Sequence, residues 1–315
     1  MMDHLVFDIV LAALIVGVAA WTNVARDTLA AVIAFVACGL LLALVWVRLV
    51  APDVALTEAA LGSGLTGGLL LGASLRVRRT GTPAAAEQPS TSLRVAAAGM
   101  CIAVMAGLAG IVLLLPEPAP TLAASALANM AATGLGNPVT AVLMAYRAID
   151  TLLEVVVLLF ALLGVWSLAP DRVWGGFPGP RHRPDPDKPL AFVAQLLVPV
   201  GILVGIHIFW IGSVAPGGEF QGATILAAMW ILTMLAGLVG APAVSRRWLR
   251  FLLVGGPAVF VAIGLVGFAA AGAFLAYPKD YAKLMILSIE VPLTLSIAGM
   301  LALLVAGPPE RTLQR

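Results

Sequence analysis

Glu58, Glu154 and Glu290, with Asp150 close by, sit inside segments that are otherwise almost wholly apolar. An ionisable group at membrane depth costs several kcal/mol and marks a proton or ion pathway more often than it serves packing. Arg147, Asp150 and Glu154 are spaced i, i+3, i+7 in YRAIDTLLEVVVLLFALLGV (146–165), which puts them on one helical face. Two readings of that face stay open. Arg147 and a carboxylate form a structural pair near the interface, or Arg147 holds Asp150 while the deeper Glu154 exchanges a proton.

Glu290 lies in SIEVPLTLS (288–296). Pro292 removes a backbone hydrogen bond and frees a carbonyl near Ser288, and a carboxylate beside a broken helix is a recurring ion-site arrangement. Glu219 and Gln221 follow an APGG turn, where Glu219 reads either as a loop tip on the outer surface or as a group supporting the path. His207 precedes that turn, as a hydrogen-bonded packing residue or as a relay whose charge changes near neutral pH. Glu58 belongs to PDVALTEAALG (52–62). There Pro52 suits a first helical turn and Asp53 complements the positive helix end. Gly62 closes that motif, and Gly64, Gly68 and Gly72 then recur every four residues. They form either a smooth ridge for close helix packing or a point where the helix distorts into a π-bulge.

The elements that position these groups follow from composition. Of 315 residues, 61% are hydrophobic and 11% charged, against roughly 25% charged in soluble domains. Nine windows are long enough to cross a bilayer: 5–21, 28–50, 53–75, 94–115, 147–168, 190–213, 219–240, 251–275 and 283–306. The expected fold is an all-α polytopic membrane protein of about nine spanning helices. No basic stretch precedes the first window, which therefore reads as a retained helix rather than a cleaved signal. Alternating the spans puts Arg26, Arg76, Arg78, Arg79, Arg94, Arg172, Arg181, Arg183, Lys188, Arg246, Arg247, Arg250, Arg311 and Arg315 on one side. Only Arg48, Arg147, Lys279 and Lys283 fall on the other. The N-terminus is thus expected outside and the C-terminus in the cytoplasm.

Two polar linkers, 80–92 and 170–189, divide the chain into units of three, two and four helices: 1–79, 93–169 and 190–307. Cys38 and Cys101 lie in apolar spans without metal-site spacing. No phosphate loop, nucleophile elbow or dinucleotide fingerprint is present, so neither a cofactor, a metal nor nucleic acid is expected. The net charge of +2 identifies no partner.

The motifs carry a family resemblance. PDVALTEAALG at 52–62 resembles the signature of MbhD-type subunits. NPVTAVLMAYRAIDTLLEVVVLLFALLGV at 137–165 resembles the MbhE-type segment, and IHIFWIGSVAPGGEFQGATILAA at 206–228 is similar to the MrpB/MnhB/MbhF domain with its PGGGF-type turn. Glu219 stands where that turn has its third glycine, and the usual histidine before it is replaced near Ser213. The resemblance implies a subunit of Mrp-type Na⁺/H⁺ antiporters or of related complex I-like membrane arms. It implies a π-bulge in the Gly62–Gly72 stretch and maps the functional carboxylate of the MbhE-type motif onto Glu154, its Arg and Asp onto Arg147 and Asp150.

The three lysines, Lys188, Lys279 and Lys283, all fall in loops or at a helix end. The mid-membrane lysine that the resemblance implies for a principal pumping subunit is missing. The expectation is therefore an accessory, ion-path subunit of the cell (inner) membrane rather than an enzyme. Its partners are other Mrp/Mbh-type membrane subunits, lipid, and Na⁺ and/or H⁺. A redox-driven arm is the alternative. The lack of an internal repeat weighs against an autonomous secondary transporter.

Overall fold

A computed structural model of the chain describes residues 2–80, 90–116, 118, 120–179 and 189–311. Positions 81–89 of the first linker and 180–188 of the second, with Arg181, Arg183, Lys188 and Arg315, lie outside the described residues. The architecture is all-α and polytopic. Eight helical segments among the described residues are long and apolar enough to span a membrane.

The first unit comprises α1 (Met2–Val24), α2 (Thr28–Arg48) and a third span made of three pieces. These are α3 (Pro52–Thr57), a π-helical stretch Glu58–Leu65, and α4 (Thr66–Thr80). Asp27 caps α2 by accepting from the Leu29 amide at 3.2 Å. Arg48 holds Asp8 of α1 through two bonds of 2.8 and 3.0 Å. The expected distortion is present, but one turn earlier than Gly62–Gly72. It takes in Gly62 and Gly64 and leaves Gly68 and Gly72 in regular helix. Among the described residues nothing lies within 4 Å of where a Cβ would stand at Gly68 or Gly72, and Gly64 meets only its own helix, so the ridge packs no helix of this chain. Ser63 and Gly67 are the residues turned inward, because a π turn adds a residue and rotates the face that follows it.

Next come α5 (Thr91–Leu114), α6 (Ala123–Ala128), α7 (Pro138–Ala141) and a second π-helical turn, Val142–Tyr146. They lead to α8 (Ala148–Ser167). No residue of α5 is buried. The helix expected to run continuously from Tyr146 instead breaks at Arg147 (φ −129°, ψ 34°). Thr151 braces the break by donating to the Leu143 carbonyl at 2.7 Å.

The last unit holds α9 (Pro189–Ile211), α10 (Glu219–Leu235), α11 (Arg247–Ala271) and α12 (Ala282–Ala306). α12 is the centre of the fold: 67% of its apolar window is buried, and it packs against α8, α10 and α11. Gly256 brings α11 close, since a Cβ there would sit 2.7 Å from the Cα of Leu293. Ser296 locks this crossing by donating to the Leu252 carbonyl (2.6 Å) and accepting from the Gly256 amide (2.8 Å). Pro292 does not break α12, which runs unbroken through it. The broken-helix expectation beside Glu290 is therefore corrected, because packing around the helix outweighs one lost hydrogen bond.

α10 has 17 residues, fewer than the window 219–240 allowed. It stops at Gly237 (φ +73°), where the Leu238 amide reaches back to the Thr233 carbonyl at 3.0 Å. The second linker is more than a spacer. Its strand β1 (Phe177–Pro178) pairs antiparallel with β2 (Pro309–Arg311), and Arg311 lies over the Phe177 ring at 5.4 Å.

Candidate functional site

Glu219 opens α10 and Glu290 lies eight residues into α12, about 12 Å along the helix. Their carboxyl groups are within hydrogen-bonding reach of each other. The turn before α10 therefore lies at the level of Glu290, inward of the start of α12. Glu219 is 5% exposed and Glu290 2%. The loop-tip reading of Glu219 is corrected: the turn carries it inward, against α12. Among the described residues, the ion pairs Arg48–Asp8, Arg78–Asp27 and Arg147–Asp150 include neither glutamate.

A carboxylate only accepts hydrogen bonds, so two carboxyls bonded to each other need a proton between them. Two buried carboxyls without a cation do not both ionise. Two carboxyls so placed are able to share a proton. Glu154 on α8 lies within electrostatic range of Glu219. The hydroxyl of Tyr277, in the α11–α12 connection, is buried without a hydrogen-bond partner among the described residues. Burial first, and the charge of Glu290 second, push the Tyr277 phenol above its usual range.

The structure brings some sequence candidates together and separates others. Glu219 and Glu290 meet, and Glu154, itself exposed, lies within electrostatic range of Glu219. Arg147 and Asp150 form an ion pair with both side chains exposed, 71% and 47%. The carboxyl of Glu58 lies over Gly62 and toward Gly39 of α2, beside Ser63, whose buried hydroxyl has no hydrogen-bond partner among the described residues. His207 makes no hydrogen bond or salt bridge to either acid of the pair among the described residues. It lines a cavity of about 310 Å³ with Trp210, Ser213 and Lys283 at the ends of α9 and α12. No group of His, Cys, Asp and Glu among the described residues has a metal-site arrangement.

One polar centre was not foreseen. Asp53, 6% exposed, accepts from the Gly217 amide at 2.9 Å and from Asn137 Nδ2 at 3.3 Å. Asn137 also donates to the Ala215 carbonyl (3.0 Å), Thr140 to the Gly212 carbonyl (2.7 Å) and Gln221 to Thr57 Oγ1 (3.1 Å). Three turns that the alternation of spans puts on one side of the membrane thus meet at one carboxylate. The available signal was that Asp53, Asn137 and the Gly217–Gly218 turn all fall at helix ends on that side.

Two family models match separate stretches of the chain. The MbhD family, one of the MBH subunits, matches residues 13–79. A domain related to the MnhB subunit of Na⁺/H⁺ antiporters matches 189–307. A probable A/B-type K⁺/H⁺ antiporter subunit of Rhizobium meliloti is 27% identical over 285 residues, covering 79% of this chain and 27% of its own length. The uncharacterized protein MJ1307 of Methanocaldococcus jannaschii is 28% identical over 158 residues, 44% of this chain and 59% of that one. This chain therefore spans less than two thirds of either relative. Among solved structures, a chain of the Mrp complex from a Dietzia species superposes with a TM-score of 0.73 at 27% identity, covering 97% of this chain and 35% of that one. A chain of an archaeal membrane-bound sulfane sulfur reductase shares the fold, with a TM-score of 0.53 at 24% identity over 68% of this chain and 99% of that one.

Proposed function

We propose that this chain, which joins an MbhD unit to an MnhB-related domain and so belongs to the fused membrane subunits of the Mrp type, works as the ion-path subunit of a multi-subunit cation/proton antiporter in the cell membrane. The observation that carries the reading is the Glu219–Glu290 pair, buried at the α10–α12 contact with Glu154 nearby. A proton held between two carboxyls at membrane depth is available for exchange against a cation moved elsewhere in the assembly. Glu154 extends the acidic track toward the Arg147–Asp150 surface. Residues 93–169 serve as the MbhE-like part, between the MbhD-like unit 1–79 and the four-helix unit 190–307. Other membrane subunits supply the lysine-bearing pump, and Na⁺ or K⁺ with H⁺ are the transported ions.

A second reading, a redox-driven arm, draws support from the fold shared with the sulfane sulfur reductase chain. The two readings use the acid pair in the same way and differ in what drives it.

The test is proteoliposomes of the assembled complex, assayed for cation exchange driven by a pH gradient. Exchange that depends on Glu290, and is absent from liposomes holding this chain alone, supports the reading. Exchange by the lone chain would overturn the accessory role. For orientation, a cysteine introduced at position 85 is expected to react only from the cytoplasmic side.

A further inference from the structure

We infer that Asp53 is the positioning residue for the acid pair: its carboxylate holds the Gly217–Gly218 turn in the one shape that points Glu219 at Glu290. The inference rests on the proton-holding reading of the pair. It adds a residue from the opposite end of the chain.

The turn needs an external hold. Gly217 and Gly218 have φ of +145° and +138°, a region open to glycine and strained for other residues. Two adjacent glycines also have the widest choice of alternatives, so the observed shape is not fixed by their own chemistry. It is pinned from two sides. The Ile208 carbonyl of α9 accepts from the Gly218 amide at 3.0 Å, and Asp53 accepts from the Gly217 amide at 2.9 Å. Glu219 is the next residue, with its α10 face already committed. A swing at Gly217 therefore moves the Glu219 carboxyl away from Glu290.

Asp53 is itself held firmly enough to act as the reference point. It is buried, Asn137 Nδ2 donates to the same oxygen at 3.3 Å, and Gln221 of α10 reaches Thr57, one helical turn on, at 3.1 Å. The π-helical stretch with Glu58 begins immediately after Thr57. The same contacts thus tie the turn that carries Glu219 to the turn that carries Glu58. The role asks only for an oxygen acceptor aimed at Gly217, not for charge, because both donors are neutral. That separates it from a proton-carrying role.

The experiment uses the assembled complex in membranes and dicyclohexylcarbodiimide, which reacts with protonated carboxyls in apolar surroundings. Labelled peptides are mapped by mass spectrometry. In Asp53→Ala, labelling at Glu219 is expected to fall roughly tenfold, the scale of leaving a buried amide without its acceptor, while Glu290 still reacts. Asp53→Asn, which keeps an acceptor oxygen, is expected to label as the parent does. An assembled Asp53→Ala complex with undiminished Glu219 labelling would overturn the inference, and so would Asp53→Asn behaving like Asp53→Ala. Should Asp53→Ala not assemble, amide hydrogen exchange on the parent and on Asp53→Asn decides: the Gly217 amide is expected to be protected in both, and fast exchange there in the parent would refute the hold. Neither readout involves transport. A complex that labels as expected but moves no cations would sink the antiporter reading and leave this inference standing.

Discussion

The two acid-bearing corners of the molecule solve the same electrostatic problem in opposite ways. At the start of α8, Asp150 faces Arg147 and both side chains stay exposed. At the α10–α12 contact, Glu219 and Glu290 face each other, almost wholly covered. The first corner pairs its acid with a fixed cation. At the second, no ion pair among the described residues includes either glutamate, and on the proposed reading a shared, mobile proton takes the cation's place. An acid near a membrane is therefore not by itself a pathway group, and what faces it decides.

The sharpest way to break this contrast is at Glu290. Glu290→Gln keeps the shape and most of the hydrogen bonding but carries no exchangeable proton. Coupled transport is expected to fall at least about tenfold, equivalent to about 1.4 kcal/mol or more on the barrier, at unchanged complex yield. Normal exchange by an intact Glu290→Gln complex would remove the pair from the pathway.

Glu154→Gln comes next. Glu154 feels Glu219 electrostatically but is not part of the hydrogen-bonded pair, so a partial loss of transport with full assembly is expected. A complex that falls apart would make Glu154 a structural residue instead.

Ser296→Ala probes the frame rather than the proton. It strips the Gly256 amide and the Leu252 carbonyl of their shared partner, at a cost of about 1–3 kcal/mol. It is expected to lower the thermal stability of the complex with little effect on transport per folded complex. The smallest effect belongs to the other corner. Arg147→Ala, in an exposed pair, is expected to change stability by less than about 1 kcal/mol. A large loss of transport there would put Arg147 and Asp150 back on the path.

Much of this was legible in the sequence, for definite reasons. Hydropathy reports bilayer crossing directly, so the spans stood out, and depth along a helix placed Glu154 and Glu290 below the surface. Azimuth and neighbours are not encoded in that signal. Glu219 looked like a loop tip because nothing local shows that its turn dips inward to the level of Glu290. Asp53 looked like a helix-end charge because its partners, Asn137 and Gly217, lie far along the chain. The π-helical stretch was anticipated from glycine content but set too late. Its position depends on how Ser63 and Gly67 pack on α2, which is a tertiary matter.

The central claim is that Glu219 and Glu290 hold a proton between them, and infrared spectroscopy of the assembled complex tests it most directly. Near neutral pH, the difference spectrum between the parent and Glu290→Gln is expected to show a carbonyl band of a protonated carboxylic acid, shifted in heavy water and missing as well from Glu219→Gln. A difference spectrum showing only ionised carboxylate, with no protonated band, would contradict the account.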